Sequence, residues 1–302
     1  MSTRPPITLS IAGTDPSGGA GIHADLKTFT ARGTLGTTVI TALVAQNTHG
    51  VSRVYPIDVD FVADQFDSVL DDMPVDASKS GMLGTRRLVE LVAARAATGR
   101  LGFFTVDPVM IATSGHRLLE ADAVDAVRTH LLPAADLITP NLPEAALLLG
   151  DDEPEAQTPE QMRDQARRLL DRGPGAVLLK GGHGTHGDVT DILATRDGQM
   201  SEFTHPRVDT PNTHGTGCTL SAAITAEVAA LGRQSAGAAG ANGQAAARSA
   251  ADADLLGEAV SNALDFLARA LVSAADWQVS LEPDGAHGPV DHQVDIVRGQ
   301  PA

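Results

Sequence analysis

The chain has 302 residues and a mass of 31.2 kDa, enough to bury a core without disulfide or metal staples. Its composition, 42% hydrophobic and 20% charged, is that of a globular protein and excludes collagen-like, coiled-coil and mucin-like chains. Lys plus Arg is 22 and Asp plus Glu is 38, a net charge of −16, so most of the surface repels nucleic acid and anionic membranes.

In chain order, Ile7 to Ile11 is a short apolar run that enters a glycine-rich turn, Gly13-Thr-Asp-Pro-Ser-Gly-Gly-Ala-Gly21. Ile22, Leu26 and Phe29 then fall at helical spacing. Thr37 to Ala45 is apolar and β-branched and reads as one buried strand. Val59, Val62, Phe66, Val69 and Leu70 make a helical stripe, Ala77 to Leu83 a strand, and Leu88, Leu91 and Val92 a further helix. Phe103 to Val106 predicts a strand ending at Asp107-Pro108, and Val124, Val127 and Leu131 the helix after it. Leu137 to Thr139 is a short strand, and Met162, Ala166, Leu169 and Leu170 form one helix face. Ala176 to Lys180 reads as a strand running into Gly181-Gly182. Val189 to Leu193 and Met200 to His205 predict a hairpin about Asp197-Gly198. Leu220, Ile224, Val228 and Leu231 begin a helix, and Leu256, Val260, Leu264, Leu267 and Leu271 mark the last one.

Strands alternating with helices predict an α/β fold around a mostly parallel sheet. Ligands of such sheets gather outside the carboxyl ends of the strands, where Asp15, Gln46, Asp107, Asn141 and Lys180 fall. Residues 232–254, rich in Ala, Gly, Ser and Gln, read as a flexible insertion between two helices, and the tail after Asp276 has no clear period. Neither separates two cores, so 1–302 is expected as a single domain. One cysteine, Cys218, allows no intramolecular disulfide and favours a reducing compartment. No apolar run approaches a membrane span, and Met1 to Pro6 has no apolar leader core, so a cytoplasmic location is expected.

The strongest local signal is His214-Gly-Thr-Gly-Cys218 before an amphipathic helix. Its glycines let backbone N–H groups approach a ligand, and the helix start adds partial positive charge, so Gly215, Thr216 and Gly217 can seat an anion. Cys218 lies in the first turn, where a thiolate is favoured and can act as base or nucleophile; a buried structural cysteine fits the same spacing. Gly13 to Gly21 is no P-loop, because no Gly-Lys-Ser/Thr follows. Gly19-Ala-Gly21-Ile-His-Ala24 matches the dinucleotide pattern, but it starts too far from the strand, and no acid follows the second strand. Asp25 reads either as a ligand holder or as part of a solvated helix face. Asp107 at a strand end suits a phosphate-bound Mg²⁺ or caps the turn before Pro108. Asn141 and Glu144 repeat that choice, with a capping box as the structural reading. Lys180 suits nucleotide phosphates or a solvated strand end. His183, His186 and Asp188 have metal-ligand spacing without further support.

The order of motifs closely resembles the hydroxymethylpyrimidine and phosphomethylpyrimidine kinases of thiamine biosynthesis, within the ribokinase-like superfamily. The strings are Ile11-Ala-Gly-Thr-Asp-Pro-Ser-Gly-Gly-Ala-Gly-Ile22, Val39-Ile-Thr-Ala-Leu-Val-Ala-Gln-Asn-Thr48, Lys79-Ser-Gly-Met-Leu83, Val106-Asp-Pro-Val-Met110 and Leu137-Ile-Thr-Pro-Asn-Leu-Pro-Glu-Ala145. Leu179-Lys-Gly-Gly-His183, Asn212-Thr-His-Gly-Thr-Gly-Cys-Thr-Leu-Ser221 and His287-Gly-Pro-Val290 follow. Together they span nearly the whole chain.

The resemblance implies a three-layer ribokinase-like fold with helices on both faces of the sheet, ATP with Mg²⁺ as donor, and a homodimer. It implies a pyrimidine near Gly13, Ala20, Asp25, Gln46, Met82, Val109 and Cys218, with Gln46 and Asp25 hydrogen-bonding the ring and its substituents. It puts Asp107 and Glu144 at Mg²⁺, Asn141 and Lys180 at the nucleotide phosphates, and Gly215 to Gly217 at the anion hole. Many ribokinase-like enzymes carry an aspartate base where Cys218 stands; a cysteine there marks this subgroup and some pyridoxal kinases. The implied activity is ATP-dependent phosphorylation of 4-amino-5-hydroxymethyl-2-methylpyrimidine and then of its monophosphate. The alternatives are a pyridoxal kinase, an NAD-dependent oxidoreductase resting on the one glycine match, and a non-catalytic vitamin-binding regulator, against which Asp107, Glu144, Lys180 and Cys218 argue. The long segment 232–254 is the departure from the family pattern.

Overall fold

The computed structural model describes residues 4–110, 119–182, 187–239 and 253–296. Eight strands form one sheet: β1 (Ile7–Ala12), β2 (Leu35–Ile40), β5 (Ala77–Ser80), β6 (Phe103–Val106), β7 (Leu137–Ile138), β8 (Ala176–Leu179), β9 (Val189–Thr195) and β10 (Met200–His205). Their order is β10-β9-β8-β7-β6-β5-β1-β2. From β2 to β8 every pairing is parallel, and β9 and β10 close one edge as the antiparallel hairpin the sequence predicts.

Alternation along the strands divides the core into two layers. Leu9, Ile11, Phe104, Val106, Val177 and Leu179 pack under helices α2 (Val59–Leu70), α3 (Arg86–Ala97), α4 (Ala121–Ala126), α5 (Leu142–Leu149) and α6 (Pro159–Leu170). Phe103, Leu137, Leu178 and Leu193 face α7 (Thr216–Ala239) and α8 (Ala253–Ala274) on the other side. Helix α1 (Gly21–Ala31) joins that second layer, with Phe29 against Ala222 and Ala226. The three-layer α/β expectation therefore holds.

Three local readings change. Thr37 to Ala45 is not one strand. The chain leaves the sheet at Thr41, whose N–H donates to Ala12 O and whose hydroxyl donates to Met82 O, and starts β3 (Ala42–Asn47). β3 pairs with β4 (Gly50–Pro56) in a separate two-stranded sheet. The helix after α4 widens over Val127–Leu131 and tightens at Leu132–Ala134, where Pro133 has no N–H to continue it. The expected insertion 232–254 is helical through Ala239, and 240–252 lie outside the described residues. His183 and His186 also lie outside them.

Candidate active site

Two glycine-rich loops meet at the carboxyl ends of the strands. The first follows β1 and is wound around Asp15, whose carboxylate accepts hydrogen bonds from the N–H groups of Ser17, Gly19 and Ala20 and from the Ser17 hydroxyl. His214, from the second loop, donates to the same carboxylate over 2.8 Å. Burial works to raise Asp15, but the bonds from His214, Ser17 and the Ala20 amide outweigh it and hold the carboxyl at about 2.

Gly215 completes the junction. Its φ is +79°, and a Cβ there would overlap the Gly19 carbonyl oxygen. Gly215→Ala is therefore expected to destabilise the protein by about 1–3 kcal/mol and to pull the loops apart. Urea denaturation and turnover should both report the loss.

Helix α7 begins at this junction. Its first turn closes with the Thr219 N–H on Gly215 O, and the Gly217 and Cys218 N–H groups have no protein acceptor among the described residues. Those free donors and the helix start make an anion seat. Beside it, a Cβ on Gly217 would stand 3.4 Å from Lys180 Nζ and 3.8 Å from Asp107 Oδ2. Lys180 Nζ donates to Asp107 Oδ1 over 3.1 Å, and Thr139 and Ser221 hydroxyls donate to the two Asp107 oxygens. Burial works to raise Asp107, yet the ammonium groups of Lys180 and Lys79 hold it down. Burial pushes Glu144 up to about 7, with Lys180 pulling it back and the Asp107 charge pushing it further.

Asn141 and Glu144 form the capping box of α5: Asn141 Oδ1 accepts from the Glu144 N–H, and Glu144 Oε2 accepts from the Asn141 N–H, each over 2.9 Å. The cap fixes both residues beside Lys180, whose strand end bridges to Asn141. The carboxyls of Asp107 and Glu144 suit Mg²⁺, which takes few protein oxygens and completes its shell with phosphate and water. Glu144 is short of positive charge here, which is what a divalent cation supplies.

The floor of the site departs from the sequence reading. Asp25 is not on a solvated helix face. It is fully buried, with Lys79 Nζ 2.9 Å from Oδ1 and Ser10 Oγ 2.5 Å from Oδ2. Burial pushes its carboxyl up and Lys79 draws it back. Asp25 lies beneath the site, with each carboxylate oxygen holding one of these partners. Cys218 is not poised as a thiolate either. Burial pushes the thiol up to about 11, beyond what Lys79 offsets, with Asp25 and Asp107 adding to the rise.

Of the remaining predicted residues, Gly13, Ala20, Gln46 and Met82 gather around the first loop and its junction with the second. Thr14 N–H donates to Ala42 O, and Val44 N–H donates to Thr14 Oγ1, which fastens β3 to it. Gly13 lies under Met82 Cε and Val44. Val109 follows Asp107, to whose carbonyl its N–H donates. Ala20 lies against Gly215, and Gln46 reaches His214. Lys79, Thr139 and Ser221 were not assigned chemistry from the sequence. A lysine inside the four-residue, fully buried β5 was the available signal, since lysine is buried only when paired.

His292 lies behind this junction, its Nε2 3.0 Å from Thr219 Oγ1. Burial, with the Lys27 charge adding, holds its imidazole down at about 4. The unfolded chain protonates it near 6.5 and the fold only near 4, so its stabilising contribution is complete above about pH 6.5 and falls as pH drops through that window. Between pH 7 and pH 5 the expected loss is about 2 kcal/mol, and His292→Gln should flatten that part of the urea-midpoint profile.

A family model described as phosphomethylpyrimidine kinase matches residues 15–242. The hydroxymethylpyrimidine/phosphomethylpyrimidine kinase of Escherichia coli is 56% identical over 218 residues, 72% of this chain and 81% of that protein. The protein of the same name from Rhizobium meliloti is 43% identical over 287 residues, 95% of this chain and 96% of its own. An ADP complex of Bacillus subtilis pyridoxal kinase superposes with a TM-score of 0.79 at 33% identity, covering 96% of this chain and 98% of that one. A phosphomethylpyrimidine kinase from Clostridium difficile superposes at 0.65 with 35% identity, covering 84% and 99%. The motif strings, the joined glycine loops and these likenesses agree, and the chain belongs to the phosphomethylpyrimidine kinase family.

Proposed function

We propose that the chain transfers the γ-phosphoryl group of ATP to the hydroxymethyl oxygen of 4-amino-5-hydroxymethyl-2-methylpyrimidine, and then a second phosphoryl group to the monophosphate, as a step of thiamine biosynthesis. The observation that carries this is the junction of the two glycine loops at Gly215 and Gly19, with Lys180 and Asp107 beside the free amides of α7. A phosphoryl group above Gly217 and an alcohol above Gly13 and Ala20 are then neighbours.

Positioning and charge neutralisation supply most of the rate in such a transfer. The free N–H groups of Gly217 and Cys218, with Thr216 in the same turn, face the charge developing on the phosphoryl oxygens. Lys180 and the Asn141 amide hold the nucleotide phosphates. Asp107 and Glu144 hold Mg²⁺, which neutralises phosphate charge when bound. Met82, Val109, Val44 and Gly13 enclose the ring, and Asp25 acts through Lys79 and Ser10. Cys218 enters as a thiol beside the reacting oxygen. A loose transition state asks little of a base, so the hydroxyl proton leaves to the phosphoryl oxygens or to water.

A second copy of the chain is proposed over the two-stranded sheet, where Leu43 and Tyr55 are paired partners and 47% and 60% exposed. A cytoplasmic location follows the lone cysteine and the need for ATP. Among the described residues no helix is long and apolar enough to cross a membrane.

The test is ADP release, first with the alcohol and then with its monophosphate. Pyridoxal is the second substrate to compare, because pyridoxal kinases from Bacillus subtilis and Staphylococcus aureus share the fold at 30–33% identity. Turnover of pyridoxal far above the pyrimidine would overturn the assignment.

A further inference from the structure

The structure ties Gln46 to a charged residue on another loop through one imidazole nitrogen. His214 Nε2 lies 2.8 Å from Asp15 Oδ2 and 3.1 Å from the amide of Gln46. Asp15 accepts at both oxygens from four loop donors and is a carboxylate, as the bonds converging on it require. A carboxylate only accepts, so His214 Nε2 carries a proton and donates it. A protonated ring nitrogen has no lone pair left. An amide NH2 turned toward it would set donor against donor. The end of Gln46 that faces His214 is therefore the acceptor, its carbonyl oxygen, which shares the Nε2 proton with Asp15.

The other end of the amide is then the NH2. It has no protein partner among the described residues, and Gln46 is only half-buried. Residues 42, 44 and 46 of β3 alternate onto one side of the strand, and the Val44 side chain on that side lies beside Gly13. The register shifts at this point, with Ser52 the extra residue on β4, and the Gln46 amide meets His214.

We propose that Asp15 and His214 lock the Gln46 amide with its oxygen on His214 and its NH2 toward the substrate, so that Gln46 is a fixed donor selecting a ring with an acceptor nitrogen. This rests on the functional reading above. It makes His214 a positioning residue and Asp15 the group that sets its tautomer.

Two measurements test it. In ¹⁵N-histidine spectra of the full chain, His214 should show the Nε2–H tautomer; the Nδ1–H tautomer would overturn the proposal whatever the enzyme phosphorylates. In steady-state assays, the pyrimidine alcohol is compared with the two analogues in which one or other ring nitrogen is replaced by CH. The wild type should lose about tenfold or more in kcat/KM on one analogue. That penalty should shrink to about threefold or less in His214→Phe and return in His214→Gln, which keeps an N–H donor at the same reach. In His214→Phe the KM for the alcohol should rise about tenfold with KM for ATP little changed. A penalty unchanged in His214→Phe, or absent from the wild type, would overturn the lock even if Gln46 touches the ring. Turnover of neither alcohol by the wild type would overturn the functional reading, and the tautomer would then judge the amide orientation by itself.

Discussion

Asp107→Asn lowers kcat by about 10²–10³ and leaves the fold intact. Asparagine matches the shape of the side chain and can still meet Thr139 and Ser221, which contact the two Asp107 oxygens. What it lacks is charge. Lys180, which donates to Asp107 Oδ1, loses its counterion, and the site loses one of the two carboxylates proposed to hold Mg²⁺. Glu144 responds, because the Asp107 charge is one reason its carboxyl stands at about 7. Once that repulsion is gone, Glu144 ionises at lower pH and becomes the counterion of Lys180. The variant should therefore melt close to the wild type and bind Mg²⁺ more weakly. Steady-state kinetics over a Mg²⁺ titration, with a parallel melting curve, checks this. Unchanged kcat would remove Asp107 from the transfer.

Lys79→Met destabilises the chain by about 3–5 kcal/mol, a large part of the 5–15 kcal/mol typical of a folded protein. Lys79 and Asp25 are both fully buried and 2.9 Å apart. Burial opposes the charge on Lys79, but the carboxylate of Asp25 keeps its ammonium protonated well above the usual lysine range. Methionine fills the same space and strands the carboxylate of Asp25 with only the Ser10 hydroxyl. The double variant Lys79→Met with Asp25→Leu should recover most of the loss, since replacing both charges with apolar groups is often neutral. Urea midpoints at constant m-value measure the cycle. Additive losses in the double variant would mean that the two charges do not stabilise each other.

Much of the fold was legible because the sheet is parallel and doubly covered, so its strands read as short apolar runs between helical stripes. Phe103 to Val106 and the hairpin at Asp197-Gly198 are such cases. β4 was not read, since most of Gly50 to Pro56 is exposed or half-exposed and its pairing is local, leaving no buried face to impose a pattern. The split at Thr41 was not visible either, because a run of apolar and β-branched residues looks the same whether or not the chain turns out of the sheet. At the site, the residues proposed to touch ligands stood out as polar residues at strand ends or in glycine-rich turns. The residues that hold them did not: Lys79, Ser221 and Thr139 are ordinary polar residues until their partners are known.

The sequence alone determined the class of fold, the family, and the two glycine loops with their acids and lysine, because local backbone needs and strand-end positions are written in residue type and spacing. Only the tertiary structure decided the state of those groups. The Cys218 thiol, the buried Asp25 and the proposed orientation of Gln46 depend on desolvation and on donors brought from 54 to 199 positions away along the chain, and neither is carried by any local pattern.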